Sequence, residues 1–131
     1  MNFQNVAIIG LGLLGGSIGL AVADNLPHIA TTGYDEDPAV RTRARERGLV
    51  GKVYDSATDA VANADLVILC VPVGAMEGAA REMAPALKPN AVVSDVGSSK
   101  KSIVEALTRA LPHHTVIPAH PVAGTEFSGP D

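Results

Sequence analysis

The feature that most constrains the fold is a glycine-rich segment near the amino terminus, Gly10 to Gly15 (GLGLLG). It directly follows an apolar run rich in Val and Ile, Asn5 to Gly10 (NVAIIG), which predicts a buried strand. Apolar residues then recur at helical spacing from Leu14 to Val22. The glycines therefore lie where a strand turns into a helix. A G-x-G-x-x-G pattern in that position is typical of domains that bind the phosphates of a dinucleotide.

An acidic residue at the end of the next predicted strand, Ile29 to Asp35, completes the pattern. Asp35 lies twenty residues after Gly15, where such domains carry the carboxylate that binds the adenosine ribose. The alternative is that the glycines only pack and Asp35 only ends a strand. We predict a dinucleotide site formed by Gly10, Leu11, Gly12, Leu13, Leu14, Gly15, Asp35, Val71 and Pro72.

The residues around Asp35 also indicate which dinucleotide is bound. The triplet Asp35-Glu36-Asp37 brings three carboxylates together, and no arginine directly follows Asp35. A ribose 2′-phosphate would be repelled by these charges and would lack a cationic partner. We therefore expect NAD, in preference to NADP, as the cofactor.

Strands and helices alternate along the rest of the chain. Further strands are predicted at Lys52 to Tyr54, Leu66 to Val71, Ala91 to Val96 and Thr115 to Ala119, and further helices at Pro38 to Arg47, Ser56 to Asn63, Val73 to Leu87 and Ser99 to Leu111. The strands are apolar on both faces, which is typical of a parallel sheet covered by helices on both sides. The length of 131 residues suits one domain, residues 1–131. We expect a three-layer α/β fold with a Rossmann-type, doubly wound parallel sheet.

Composition and charge exclude several classes of function. The formal charge is −4 and no basic run is present, so we expect no nucleic-acid partner. The apolar stretch Val6 to Ala23 resembles an export signal, but no Lys or Arg precedes it. We therefore expect no membrane association and a cytoplasmic protein.

Two further residue types are candidates for chemistry and are set aside. Cys70 lies inside the apolar run Leu66 to Val71, so we expect a small buried residue and not a nucleophile. His113, His114 and His120 lack the spacing of helical or hairpin metal ligands, so we expect no metal site.

Two segments carry polar residues that a nucleotide-binding domain does not itself need. They are Ser94 to Lys100 (SDVGSSK), at the end of the fifth predicted strand, and His120 to Gly129 (HPVAGTEFSG), just past the sixth. Ligands bind outside the carboxyl ends of the strands of an open parallel sheet. Both segments should therefore face the nicotinamide half of the cofactor.

With these segments the sequence resembles the prephenate/arogenate (cyclohexadienyl) dehydrogenase family of tyrosine biosynthesis. The matching motifs are G-x-G-L-x-G-G-S at Gly10 to Ser17, D-x-G-S-x-K at Asp95 to Lys100, and H-P-x-A-G-x-E-x-S-G at His120 to Gly129. The resemblance implies NAD-dependent oxidative decarboxylation of prephenate or arogenate, which are small-molecule substrates.

The resemblance also implies roles for individual residues. His120 matches the family's catalytic histidine, which accepts the proton of the substrate C4 hydroxyl, and Ser98 matches the serine that positions both groups. The alternatives are that Ser98 only caps the following helix and that His120 is an inert loop residue. Residues expected on the substrate side are Ser99, Gly124, Thr125 and Glu126, although Glu126 could equally be an exposed loop residue.

The chain departs from the family's pattern at its end, Pro130-Asp131. Family members continue into a carboxyl-terminal helical domain that forms the homodimer and supplies cations for the substrate carboxylates. We expect that domain to be absent here, so this chain alone should be an inactive, apparently truncated fragment. Two alternatives remain: another NAD-linked dehydrogenase of the 6-phosphogluconate-dehydrogenase-like group, and a non-catalytic NAD-binding module.

Overall fold

Six strands and five α-helices alternate in the part of the chain that the computed structural model describes, residues 3–96 and 101–119. The strands are β1 (Asn5–Ile9), β2 (Ala30–Tyr34), β3 (Lys52–Val53), β4 (Leu66–Leu69), β5 (Val92–Val96) and β6 (Thr115–Ala119). The helices are α1 (Leu13–Asn25), α2 (Pro38–Arg47), α3 (Ala57–Val61), α4 (Val73–Met83) and α5 (Lys101–Ala110).

The strands form one parallel sheet in the order β3-β2-β1-β4-β5-β6. Ile9 at the end of β1 pairs with Tyr34 on one side and with Leu69 on the other. β2 and β3 lie on one side of β1, and β4, β5 and β6 lie on the other. Because the strand order reverses at β1, a crevice opens between the ends of β1 and β4. The predicted three-layer, doubly wound α/β fold is confirmed.

Each face of the sheet packs into a separate hydrophobic core. On one face α3, α4 and α5 cover Ile9, Leu69 and Val93, all of which are buried. On the other face α1 and α2 cover Val6 and Ile8. Burial on both faces explains why the central strands β1 and β4 are apolar at nearly every position.

The helix boundaries follow local chemistry. Asp37 caps α2, because its Oδ1 accepts a hydrogen bond of 2.9 Å from the N–H of Ala39, and Gly48 ends that helix, as predicted. Helix α4 ends at Met83, four residues earlier than predicted, and a 3₁₀ turn follows. Pro85 has no N–H with which to continue the α-helical ladder. No described helix is long and apolar enough to span a membrane.

An ion pair fixes the end of the sheet opposite the crevice. Asp65 accepts hydrogen bonds of 2.9 Å from the backbone N–H groups of Gln4 and Asn5, and its other oxygen pairs with Lys88. The hydrogen bond from Lys88, followed by those from Gln4 and Asn5, lowers the pKa of Asp65 to about 2. Nε2 of His114 lies 2.9 Å from the carbonyl oxygen of Lys88. These contacts join β1, β4 and the start of β6.

Candidate functional site

A cleft of about 470 Å³ opens at the carboxyl ends of β1, β2 and β4. Its lining includes five of the residues predicted to bind the cofactor: Gly10, Gly12, Asp35, Val71 and Pro72. These residues are brought together from three strand ends that are distant in the sequence. A crevice at this point of an open parallel sheet is where such folds bind ligands.

The glycine-rich loop is tightly packed at both ends and open in the middle. Gly10 has a φ of 101°, and a Cβ there would lie 2.6 Å from the carbonyl oxygen of Cys70. A Cβ on Gly15 would lie only 1.8 Å from the carbonyl oxygen of Gly10. A Cβ on Gly12 would meet no atom within 4 Å. The loop therefore leaves room for a ligand to approach the backbone at Gly12.

The first turn of α1 adds a partial positive charge to this opening. Gly12 is the N-cap residue and has no side chain to bond the N–H groups of the first turn, which also carries no acidic residue. Such N–H groups have no partner within the helix, and the helix dipole is positive at this end. The opening is therefore suited to an anion such as a pyrophosphate.

The other predicted loop residues lie outside the cleft lining. Leu11 is buried against the sheet, whereas Leu13 and Leu14 are exposed at the start of α1, with Leu13 at 95%. Gly15 is buried beneath the loop. Leu13 and Leu14 are the first two residues of α1, so their backbone N–H groups lie at the helix start, where a phosphate would approach.

Asp35 ties the end of β2 to the glycine-rich loop. Its Oδ2 accepts a hydrogen bond of 2.8 Å from the N–H of Leu11, and its Oδ1 accepts one of 2.9 Å from the N–H of Asp37. An ionised carboxylate has about four acceptor sites, so these two bonds leave capacity for ribose hydroxyls. The same bonds fix the orientation of the carboxylate at the cleft.

Sequence reasoning missed a basic residue beside Asp35. Arg41 donates from Nη1 to the backbone oxygen of Asp35 at 2.7 Å, and its guanidinium lies 5.6 Å from the centre of the Tyr34 ring. Nε of Arg41 and Nη2 of Arg45 both bond Oδ1 of Asp55, at 3.2 Å and 2.7 Å. The spacing of Arg41 and Arg45 by four residues on one helix face was the available signal.

The hydrogen bond and charge of Arg45, with a smaller effect of Arg41, lower the pKa of Asp55. Asp55 therefore stays ionised at neutral pH and holds both guanidinium groups at the outer edge of the sheet. No arginine directly follows Asp35 in the sequence, but folding brings Arg41 to its backbone oxygen.

Cys70 lies in the cleft wall and is only partly buried, although a buried residue was predicted. Desolvation raises the pKa of its thiol to about 12. The nucleophilic form of cysteine is the thiolate, which is absent at neutral pH for such a group. This agrees with the prediction that Cys70 is not a nucleophile. Among the described residues no group of His, Cys, Asp and Glu could hold a metal ion.

The predicted catalytic and substrate-side residues lie outside the residues that the structure describes: Ser98, Ser99, His120, Gly124, Thr125 and Glu126. Their segments follow the ends of β5 and β6 in the chain. Asp95, one residue before the end of β5, is completely buried.

Comparison with known families decides the relationship. The family described as "Prephenate dehydrogenase, nucleotide-binding domain" matches residues 18–131. The chain belongs to this family. The match covers α1 from its second turn onward, so the glycine-rich loop is independent support. The resemblance inferred from the sequence motifs is confirmed.

Two curated relatives and one solved structure show how far the similarity extends. Cyclohexadienyl dehydrogenase of Zymomonas mobilis is 48% identical over 98% of this chain and 44% of its own length. Prephenate dehydrogenase of Bacillus subtilis is 32% identical over 96% of this chain and 34% of its own. Prephenate dehydrogenase from A. aeolicus, in complex with hydroxyphenyl propionate and NAD+, superposes with a TM-score of 0.78 at 28% identity, covering 88% of this chain and 41% of that one. The chain spans less than half the length of each.

Proposed function

We propose that this chain is the NAD-binding domain of an enzyme that oxidatively decarboxylates prephenate, arogenate or both. The observation that carries the proposal is the cleft in which Asp35 is bonded to the N–H of Leu11 beside the open backbone of Gly12. That arrangement would put an acceptor for ribose hydroxyls next to donors for a pyrophosphate, which supports the proposal. Membership of the prephenate dehydrogenase family supplies the substrate class.

The described residues fit NAD part by part. The N–H groups at the start of α1 would bind the pyrophosphate, and Gly12 would allow its close approach. Asp35 would accept hydrogen bonds from the adenosine ribose, and Val71 and Pro72 would form the wall of the cleft beside it. The NAD+ in the related A. aeolicus structure supports this assignment.

The chemistry would take place at residues beyond the described cleft. When bound, NAD+ supplies an acceptor for the hydride that leaves C4 of the substrate. His120 would take the proton of the C4 hydroxyl, for which a neutral imidazole is suited. Ser98 would position the hydroxyl and the imidazole, and Ser99, Gly124, Thr125 and Glu126 would lie on the substrate side. The resulting ketone allows the ring carboxylate to leave as CO₂. We also propose that the complete enzyme is a homodimer.

Cofactor choice is the direct test of the site. In calorimetric titrations of the full-length protein, NAD should bind more tightly than NADP. Asp35→Ser should narrow that difference in affinity, because it weakens NAD binding and removes a charge that repels the 2′-phosphate of NADP. Asp24→Asn is the matched control, because Asp24 is an exposed acid at the far end of α1. Equal or tighter binding of NADP by the unmodified protein would rule out the proposed role of Asp35.

Turnover separates the enzyme from a non-catalytic module. The full-length protein should reduce NAD+ in the presence of prephenate or arogenate. Nucleotide binding without turnover of either substrate would support the module instead.

A further inference from the structure

The cluster around Asp55 has no part in the function proposed so far. Asp55 follows β3, and its side chain is 73% exposed. It bonds Arg41 and Arg45, which lie one turn apart on α2. The side chain of Arg41 is only 15% exposed, so its guanidinium is held in place and does not extend freely into solvent.

The position of Arg41 relates this cluster to the cleft. Its Nη1 bonds the backbone oxygen of Asp35, and its guanidinium stacks near the ring of Tyr34. Tyr34 and Asp35 both line the cleft. Folds of this type accommodate the 2′-phosphate of NADP with an arginine near the end of the second strand. A guanidinium is also the side chain best suited to bind phosphate through two parallel hydrogen bonds.

We infer that Asp55 is a positioning residue for cofactor specificity. It forms an ion pair with the guanidinium of Arg41 and so keeps that group from binding a ribose 2′-phosphate. The inference rests on the proposed function, since it concerns the same nucleotide site. Arg45 strengthens the arrangement, because its Nη2 bonds both Asp55 and the backbone oxygen of Val53 and so anchors the carboxylate to β3.

The charges show why the carboxylate matters. A 2′-phosphate near Asp35 would meet the carboxylates of Asp35, Glu36 and Asp37. The nearby charge of Arg41 is partly offset by Asp55, which Arg41 shares with Arg45. Asparagine at position 55 has nearly the same size and can still accept a hydrogen bond, but it lacks the charge. Asp55→Asn should therefore release the positive charge of Arg41 without removing any side chain from the cleft.

The test compares two affinities in the full-length protein by calorimetric titration. Asp55→Asn should tighten NADP binding by roughly two- to fivefold, the scale of an exposed ion pair, and leave NAD binding unchanged. Arg41→Ala in the same chain should abolish the gain, because Arg45 contacts Val53 and not Asp35. Glu46→Gln is the matched control: it removes one exposed negative charge from α2 and should alter neither affinity.

A purely structural role for Asp55 would give a different result. Thermal unfolding would then occur at a lower temperature, and both nucleotides would bind more weakly by the same factor. That outcome, or a gain in NADP affinity that survives Arg41→Ala, would overturn the inference. If the unmodified protein binds neither nucleotide, the proposed function itself is contradicted. If the unmodified protein prefers NAD but Asp55→Asn leaves the ratio of NAD to NADP affinity unchanged, only the inference is contradicted.

Discussion

Substitutions at two glycines of the same loop should separate nucleotide binding from folding. Gly12→Ser adds a Cβ where no atom lies within 4 Å, at a φ of −72° that any residue adopts. Serine is also among the best N-cap residues, so α1 should be at least as stable as before. The new side chain, however, occupies the opening toward which a pyrophosphate would approach. NAD affinity should fall at least about tenfold, which corresponds to about 1.4 kcal/mol.

Gly15→Ala should have the opposite effect. Its Cβ would lie 1.8 Å from the carbonyl oxygen of Gly10, whereas ordinary van der Waals contact begins at 3.4 Å. The backbone of α1 or of the loop must then separate by about 1.5 Å, and overpacking of that kind costs roughly 3 kcal/mol. For a domain of this size the loss corresponds to a fall in Tm of roughly 10 °C.

Thermal unfolding followed by circular dichroism, together with titration of NAD into the folded variants, measures both effects. The expected pattern is a Gly12→Ser protein with unchanged Tm and weak binding, beside a Gly15→Ala protein with strongly lowered Tm. The reasoning is refuted if Gly12→Ser binds NAD as tightly as the unmodified protein, or if both variants lose equal stability.

Two further predictions concern other parts of the molecule. Asp65→Asn should lower the free energy of unfolding at pH 7 by roughly 1–2 kcal/mol, because the pKa of Asp65 falls from 3.8 to about 2 on folding and the side chain is partly exposed. A depressed pKa gives its full stabilisation above the unfolded value, and this is lost as the pH falls through the folded value. Urea titrations should therefore show the difference in stability shrinking as the pH falls from about 4 toward 2. In the full-length enzyme His120→Asn should lower kcat by roughly a hundredfold or more and leave NAD affinity nearly unchanged. A change confined to KM would mean that another residue takes the proton.

The sequence was sufficient to predict the sheet, because the central strands β1 and β4 are apolar runs and helices such as α2 have their own end signals. Helix α2 has the predicted bounds, since Asp37 and Gly48 provide a cap at each end. Helix α4 was predicted too long, because its apolar spacing continues through Pro85 although its hydrogen bonding does not. Periodicity shows which face of a segment is buried and says less about where backbone bonding stops.

The cleft was predicted less completely than the fold. Gly10, Gly12 and Asp35 form a local pattern with known spacing, so their meeting at one crevice could be inferred. The approach of Arg41 to the backbone of Asp35 could not, because it depends on how α2 packs beside the end of β2 and on the position of Asp55 after β3. The four-residue spacing of Arg41 and Arg45 places both on one face of α2, but it does not show which residues that face contacts after tertiary packing.

The partly buried thiol of Cys70 has a practical consequence for experiments on this protein. Cys70 is the only cysteine among the 131 residues, and with a thiol pKa of about 12 it carries almost no thiolate at neutral pH. Maleimide reagents should therefore label the unmodified chain much more slowly than they label an exposed cysteine. A cysteine introduced at Leu13, which is 95% exposed at the start of α1, would then react first and carry a fluorophore close to the expected pyrophosphate position.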